Sequence, residues 1–268
     1  MSFQPVIPLS GLGGWRFLER TMDSQQDNFA RSPLIERDTA YFEAEIGKIR
    51  SAEALVADRR LLSVALGAFG LQDDLPNRFF IRKVLEEGTL RPDALANRLT
   101  DSRYKELAKA FGFGDFDVPR TGLSDFGPEI VARYRRQEFE RAVGAQDDSM
   151  RLALNAQREL PALAASGAGA DSQWFRVMGT PPLRQVFEVA LGMPTGFGQL
   201  DIDRQLEEFR SRSRRLLGAG EVAGFADPAR RDKLIQQFLV RSRNGASTVQ
   251  GPASIALTLL QGVAGLPR

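Results

Sequence analysis

Carboxylates on predicted helices are the residues of this sequence that could do chemistry. A helical protein can hydrolyse a glycan when one glutamate with a raised pKa acts as the acid and a second carboxylate assists it. Four glutamates are candidates for that acid: Glu86, Glu87, Glu138 and Glu140. A glycan-acting hydrolase or lyase with a glutamate acid is therefore an alternative function. Because the sequence distinguishes none of the four glutamates, we assign no catalytic residue.

A second group of carboxylates superficially resembles the start of a calcium-binding loop. It consists of Asp201, Asp203 and Glu207. The glycine and the later ligands of such a loop are missing, and the carboxylates continue directly into a predicted helix. Negative charge near a helix N-terminus interacts favourably with the helix dipole. We therefore interpret these residues as helix-start charges and predict neither a metal site nor a cofactor.

Histidine and cysteine are both absent from the 268 residues. Their absence excludes thiolate zinc sites, disulfides, cysteine nucleophiles and every acid–base system that depends on histidine. Few types of catalytic site remain, and none is visible as a motif. This favours a non-enzymatic protein with a structural or protein-interaction role.

The basic residues are almost all arginine, but they bring little excess charge. Lysine and arginine number 36 against 34 aspartates and glutamates, a formal net charge of +2. Nucleic-acid binding, a further alternative, would require a basic face with a clear excess of charge. Basic clusters lie at 133–136, 210–215, 230–231 and 241–243, and the carboxylates within helical reach of the first three are Glu138, Glu140, Glu207, Glu208 and Asp232. That spacing favours ion pairs within helices instead.

Three similar endings organise the helices that must position these residues. They are Ala68-Phe69-Gly70-Leu71, Ala110-Phe111-Gly112-Phe113 and Ala190-Leu191-Gly192-Met193. Each follows an apolar helical stripe, so its glycine is expected in the left-handed conformation that closes a helix, with the next apolar residue folded back. Phosphate-binding glycine loops open a helix after a strand, so that alternative is disfavoured here.

The periodicity predicts an all-α multi-helix bundle of helix-turn-helix hairpins, with about a dozen helices and no significant sheet. One long helix is expected from Ser51 to Gly70, and another is expected to end at Pro161. The chain divides into residues 1–162 and 163–268, or forms one continuous domain with a hinge near 164–170.

Two sets of apolar side chains are expected to pack inside the protein. One face of the helix after Pro76 is expected to hold Phe79, Phe80, Val84 and Leu85. In the loop rich in glycine and aspartate that follows Gly112, Phe113, Phe116 and Phe126 are expected to anchor the chain.

The sequence shows no signal peptide, and no apolar run reaches the ~20 residues that span a bilayer. We expect a soluble protein that stays in the cytoplasm, or is exported through a flagellum-type system without a cleaved leader.

Short sequence motifs along nearly the whole chain resemble those of a known protein family. They include Arg59-Arg60-Leu61-Leu62, Ala65-Leu66-Gly67-Ala68-Phe69-Gly70-Leu71, Phe80-Ile81-Arg82-Lys83-Val84-Leu85, Ala96-Asn97-Arg98-Leu99, Asp101-Ser102-Arg103-Tyr104 and Leu200-Asp201-Ile202-Asp203-Arg204-Gln205. Through them the chain resembles a bacterial family of undetermined function, domain of unknown function 1217. The resemblance implies a helical fold and frequent encoding beside flagellar genes. It carries over no catalytic residue.

The leading hypothesis is therefore a non-enzymatic structural or interaction protein linked to flagellar assembly or function, with flagellar components as protein partners. Two apolar segments, residues 3–15 and 255–266, are the candidate contact elements. The side chains singled out in them are Phe3, Trp15, Ile255, Leu259 and Leu260. The alternative is that both segments pack internally.

Overall fold

A computed structural model describes residues 3–248, and these residues form thirteen α-helices and no β-strand. This confirms the predicted all-α class. The helices are α1 (Gly11–Ala30), α2 (Pro33–Glu45), α3 (Ala52–Ala57), α4 (Arg59–Ala68), α5 (Arg78–Glu87), α6 (Leu95–Arg98), α7 (Ser102–Phe111), α8 (Phe126–Gly144), α9 (Asp148–Ala164), α10 (Ala170–Met178), α11 (Pro181–Leu191), α12 (Ile202–Leu217) and α13 (Pro228–Thr248).

The three glycine endings close their helices as predicted. Gly70, Gly112 and Gly192 have φ angles of 69°, 69° and 63°. After α4, the amide of Leu71 donates to the carbonyl of Leu66 at 2.9 Å, and that of Gly70 donates to Gly67 at 3.1 Å. This pair of bonds is the Schellman arrangement. The same pair follows α11, and α7 ends with the simpler bond from Gly112 to Ala108.

The segment from Ser51 to Gly70 is two helices, so the prediction of one long helix was wrong. The break falls at Asp58, whose backbone is extended (φ −91°, ψ 105°). Its carboxylate accepts hydrogen bonds from the amides of Arg60 and Leu61 at 2.9 and 3.1 Å, and from the hydroxyl of Tyr41 at 2.7 Å. Asp58 therefore caps a new helix, because a carboxylate there satisfies amides that would otherwise lack acceptors.

Pro161 does not end its helix, contrary to the prediction. It lies inside α9, which continues to Ala164. A proline inside a helix removes one backbone donor. Its carbonyl can still accept a hydrogen bond, and it does so from the amide of Ala165 at 3.0 Å. The helix therefore runs one further turn before it stops.

The first of two compact units consists of residues 3–8, 14–151 and 175–181. Its core is built where α4 packs against α8 and α2. Gly67 allows α4 and α8 to approach closely, since a Cβ there would lie 2.8 Å from the ring of Tyr134. The stretch 175–181 joins this unit through Ser102, whose amide donates to the carbonyl of Gly179 at 2.8 Å. The hydroxyls of Ser102 and Thr180 lie 2.9 Å apart.

The second unit contains residues 9–13, 152–174 and the described residues from 182 to 248. Its core is an aromatic cluster made of Trp174, Phe187, Phe197, Phe209 and Phe225, all buried. Neighbouring rings lie 5.0–6.4 Å apart, mostly edge to face, an arrangement that suits the charge distribution of aromatic rings. The indole nitrogen of Trp174 donates to the carbonyl of Gly220 at 3.1 Å, so its polar atom is satisfied.

Candidate interaction surface

Helix α5, in the first unit, has one buried face and one exposed face. Ile81, Val84 and Leu85 are buried, since α5 packs against α3, α6 and α7. Phe79 and Lys83 lie on the opposite side, and the ring of Phe79 is 81% exposed. Phe79 was predicted to lie on the apolar face. That placement was wrong, because positions 79 and 81 point about 200° apart on a helix, and the packing buries Ile81.

The charges on the exposed side of α5 are paired along the helix. The Nε atom of Arg82 lies 2.7 Å from the carboxylate of Glu86, and the Nζ atom of Lys83 lies 3.8 Å from that of Glu87. Arg82 also reaches Glu53 of α3 at 3.3 Å. In both pairs within α5 the base precedes the acid by four residues. These pairs are largely solvated, so they add little to the stability of the fold.

Two glycines bring two loops into backbone contact at the C-terminal end of α5. Gly88 ends the helix with a φ angle of 66°, and Gly114 from the loop after α7 lies directly against it. A Cβ at Gly114 would lie 2.5 Å from the backbone nitrogen of Gly88 and would overlap the carbonyl oxygen of Glu86. Only glycine fits between these backbone atoms.

Asp115 ties the same two loops together. One carboxylate oxygen accepts hydrogen bonds from the amides of Thr89 and Leu90 at 2.5 and 3.1 Å, and the other accepts from the hydroxyl of Thr89 at 2.8 Å. A carboxylate that accepts several donors holds its loop firmly. Asp115 therefore stabilises the loop after α5 as well as its own.

The tied loops present three apolar side chains to solvent. Leu90 is 70% exposed, Phe116 is 54% exposed and Val118 is 74% exposed. Phe116 was expected to anchor the loop, but its ring only lies along Gly112 and leaves more than half of its surface open. We call these three residues the end cluster, and we call Phe79, the charged residues of α5 and the end cluster together the α5 surface. Grouped exposed apolar side chains often mark a protein contact.

Of the candidate contact residues from the sequence, the structure describes Phe3 and Trp15, and neither belongs to the α5 surface. Phe3 is half-buried in the first unit. Trp15 is 1% exposed, so its indole is enclosed within the protein. Ile255, Leu259 and Leu260 lie outside the described residues. Only the packing of α5 decides which of its residues are exposed, so the sequence alone did not indicate the α5 surface.

Of the candidate acids, Glu138 is set apart by its surroundings in α8. It is 7% exposed and lies beside Gly67 at the contact with α4, and its carboxylate accepts a hydrogen bond from Arg141 at 2.7 Å. Burial is the main cause that raises the pKa of Glu138, Asp38 of α2 adds to it, and Arg141 opposes it. A proton donor to a glycan must reach the substrate, whereas this carboxyl is enclosed by packing.

Of the remaining candidate carboxylates, Glu140 is buried in α8, Glu86 is exposed, and Glu87 and Asp201 bind backbone amides. Glu87 accepts a hydrogen bond from the amide of Leu95 at 2.5 Å, and Asp201 accepts one from the amide of Arg204 at 2.9 Å. Asp201 thus caps α12, as its interpretation as a helix-start charge requires. In residues 3–248 no three acidic side chains are grouped so that they could hold a metal ion. Over the same range no helix is long and apolar enough to cross a membrane.

The raised pKa of Glu138 gives a testable pH dependence. The folded protein holds this proton more tightly than the unfolded chain does. The contribution of Glu138 to stability is therefore fully present below its unfolded pKa and is lost as the pH rises through the folded pKa. We expect Glu138→Gln to remove this loss, so that the variant gains stability relative to the wild type as the pH rises from acid to neutral. Urea unfolding across that range measures it.

The matched control is Glu129→Gln, a more exposed residue of α8 that is paired with Arg133 at 3.7 Å. If both variants follow the same pH profile as the wild-type protein, Glu138 is not the group responsible.

Over residues 3–248 these features define an all-helical fold whose fifth helix carries an exposed apolar and charged surface. The chain belongs to the family described as protein of unknown function DUF1217, which matches residues 68–230. It is also similar to a protein from Agrobacterium tumefaciens whose crystal structure was determined by the Northeast Structural Genomics Consortium. The two share 26% sequence identity with a TM-score of 0.71, over 89% of this chain and 97% of the other. No curated protein matches the sequence.

Proposed function

We propose that the protein works by binding protein through the α5 surface, as a non-enzymatic structural or interaction component linked to the bacterial flagellum. The observation that carries the proposal is the placement of Phe79 and the end cluster. Large apolar side chains are exposed there on a helix and loops fixed by Gly88, Gly114 and Asp115. A preordered surface binds with a smaller loss of entropy than a flexible one.

The link to the flagellum rests on the resemblance to a family whose members are frequently encoded beside flagellar genes. It fits a protein that stays in the cytoplasm or leaves through a flagellum-type export system.

The arginines support protein contact over nucleic-acid binding. Arg210 lies 2.5 Å from Asp171 and 3.2 Å from Glu221, and Arg212 lies 2.8 Å from Glu208. Arg103 donates to the carbonyl of Gly70 at the end of α4. Guanidinium groups that are engaged with carboxylates or helix ends are less available to phosphates.

Deleting the encoding gene and scoring motility tests the flagellar link. We expect the deletion strain to swim poorly or to lack normal flagella, and the wild-type gene to restore swimming. A copy with Phe79→Glu should fail to restore it, because a charge at this position opposes burial against a partner. Swimming speed and flagella counted by electron microscopy are the measurements.

The control copy carries Leu34→Glu, which changes another exposed apolar residue of the first unit, on α2. Both variants must accumulate to the wild-type level. Normal swimming of the deletion strain would refute the flagellar link. Full rescue by Phe79→Glu would refute the role of the α5 surface.

A further inference from the structure

The order of basic and acidic residues along α5 is the opposite of the order that stabilises an isolated helix. Arg78, Arg82 and Lys83 occupy its first half, and Glu86 and Glu87 occupy its last turn. The first turn has no acidic residue and the last turn has no basic one. The helix dipole favours the opposite order, and pairs of i and i+4 residues are stronger when the acid comes first. The stability of α5 does not explain this order.

The same order is self-complementary when two α5 helices lie antiparallel. A two-fold axis that runs between the helices, level with the midpoint between Val84 and Leu85, places Lys83 of one copy opposite Glu86 of the other. The basic half of each helix then faces the acidic half of its partner, and the two helix dipoles are antiparallel. In a two-fold interface every such contact occurs twice.

The apolar residues follow the same symmetry. Phe79 lies one residue inside the start of α5, and Leu90 lies three residues beyond its end. An axis through the middle of the helix therefore brings Phe79 of each copy towards the end cluster of the other. The charged centre is then flanked by two apolar contacts, each made of Phe79 from one copy and the end cluster from the other, all of which are exposed in the free chain.

We propose that the α5 surface binds a second copy of this chain, so that the protein is a two-fold homodimer with antiparallel α5 helices. This deepens the proposed function, because it names the partner of the same surface. Binding to a different protein would not require the charges of α5 to complement one another. Binding to a second copy does, because the basic half of each helix must face the acidic half of the other. The exposed helix face from Phe79 to Glu86 is only about 10 Å long, so the interface is small and the affinity moderate.

Sedimentation equilibrium of the full chain tests the dimer. We expect a Kd on the order of 1–100 µM for the wild-type protein. Phe79→Glu should weaken association about tenfold or more, because it places a charge in both apolar contacts of the dimer. Leu34→Glu is the matched control and should leave the Kd unchanged. A wild-type chain that stays monomeric over this concentration range overturns the proposal, as does a Phe79→Glu variant that dimerises normally.

Charge reversal tests the antiparallel register. Lys83→Glu sets two acids opposite each other in its own dimer, and Glu86→Lys sets two bases opposite each other. Each variant alone should associate about threefold more weakly or worse. An equimolar mixture should recover association, because the reversed charge of one chain then faces the reversed charge of the other. If the mixture associates no better than the separate variants, the register is wrong.

The two proposals fail in different ways. A monomeric protein whose Phe79→Glu variant still abolishes swimming overturns the homodimer and leaves the α5 surface to a flagellar partner. A homodimer in a protein whose deletion leaves swimming normal supports the inference and overturns the flagellar function.

Discussion

Replacing Gly114 by alanine is expected to destabilise the protein by about 3 kcal/mol, near the upper end for overpacking a tight site. The added Cβ would overlap the carbonyl oxygen of Glu86 and approach the backbone nitrogen of Gly88. Both are main-chain atoms, so no change of side-chain rotamer can relieve the clash. Separation of the loops would also break the hydrogen bonds of Asp115 to Thr89 and Leu90. Urea unfolding followed by circular dichroism measures the loss.

Gly47→Ala provides the control for this prediction. Gly47 belongs to a short 3₁₀ helix in the same unit, and a Cβ there would meet no atom within 4 Å. The alanine reduces the entropy of the unfolded chain, so its effect should be neutral or slightly stabilising. Equal unfolding midpoints for Gly114→Ala and the wild type would show that the loops separate without cost.

Phe209→Ala is expected to cost about 3–5 kcal/mol. The side chain is fully buried in the second unit, and its ring lies 5.6, 6.4 and 5.0 Å from those of Trp174, Phe187 and Phe197. Truncation leaves a cavity in the middle of the aromatic cluster, which the surrounding rings can fill only in part. Unfolding in guanidinium gives the free energy, and near-ultraviolet circular dichroism reports the loss of ring packing.

The control for the aromatic cluster is Ile202→Ala, which shortens a half-exposed side chain at the start of α12 in the same unit. Its cost should stay below about 1 kcal/mol. A Phe209→Ala variant as stable as this control would contradict the burial of the ring.

Local rules predicted the helix ends at glycine well, but they missed the boundary at Asp58 and misplaced the one at Pro161. The glycine endings at Gly70, Gly112 and Gly192 need only the residues of one helical turn, so the sequence is sufficient to read them. Asp58 was missed as a helix break, because the apolar periodicity on both sides of it continues without a gap. Asp58 begins a new helix because its carboxylate accepts hydrogen bonds from the first amides of α4. The spacing of apolar residues gives no information about such a cap.

The α5 surface depended on contacts that are distant in sequence. Phe79, Phe80 and Ile81 are adjacent apolar residues, and only the packing of α5 against its neighbours decides which of them is buried. The contact between Gly88 and Gly114 joins residues from different loops, and no local pattern connects them. The sequence could therefore predict the helices that carry the surface, but not which side of α5 faces solvent.

The order in which the chain enters the first unit has a consequence for synthesis on the ribosome. Residues 175–181 belong to this unit, and the carbonyl of Gly179 is the acceptor for the amide of Ser102 at the start of α7. A nascent chain that has emerged only as far as Arg151 lacks this acceptor and the hydroxyl of Thr180. The contacts that residues 175–181 make in the first unit can therefore form only after residues 152–174 of the second unit have been translated.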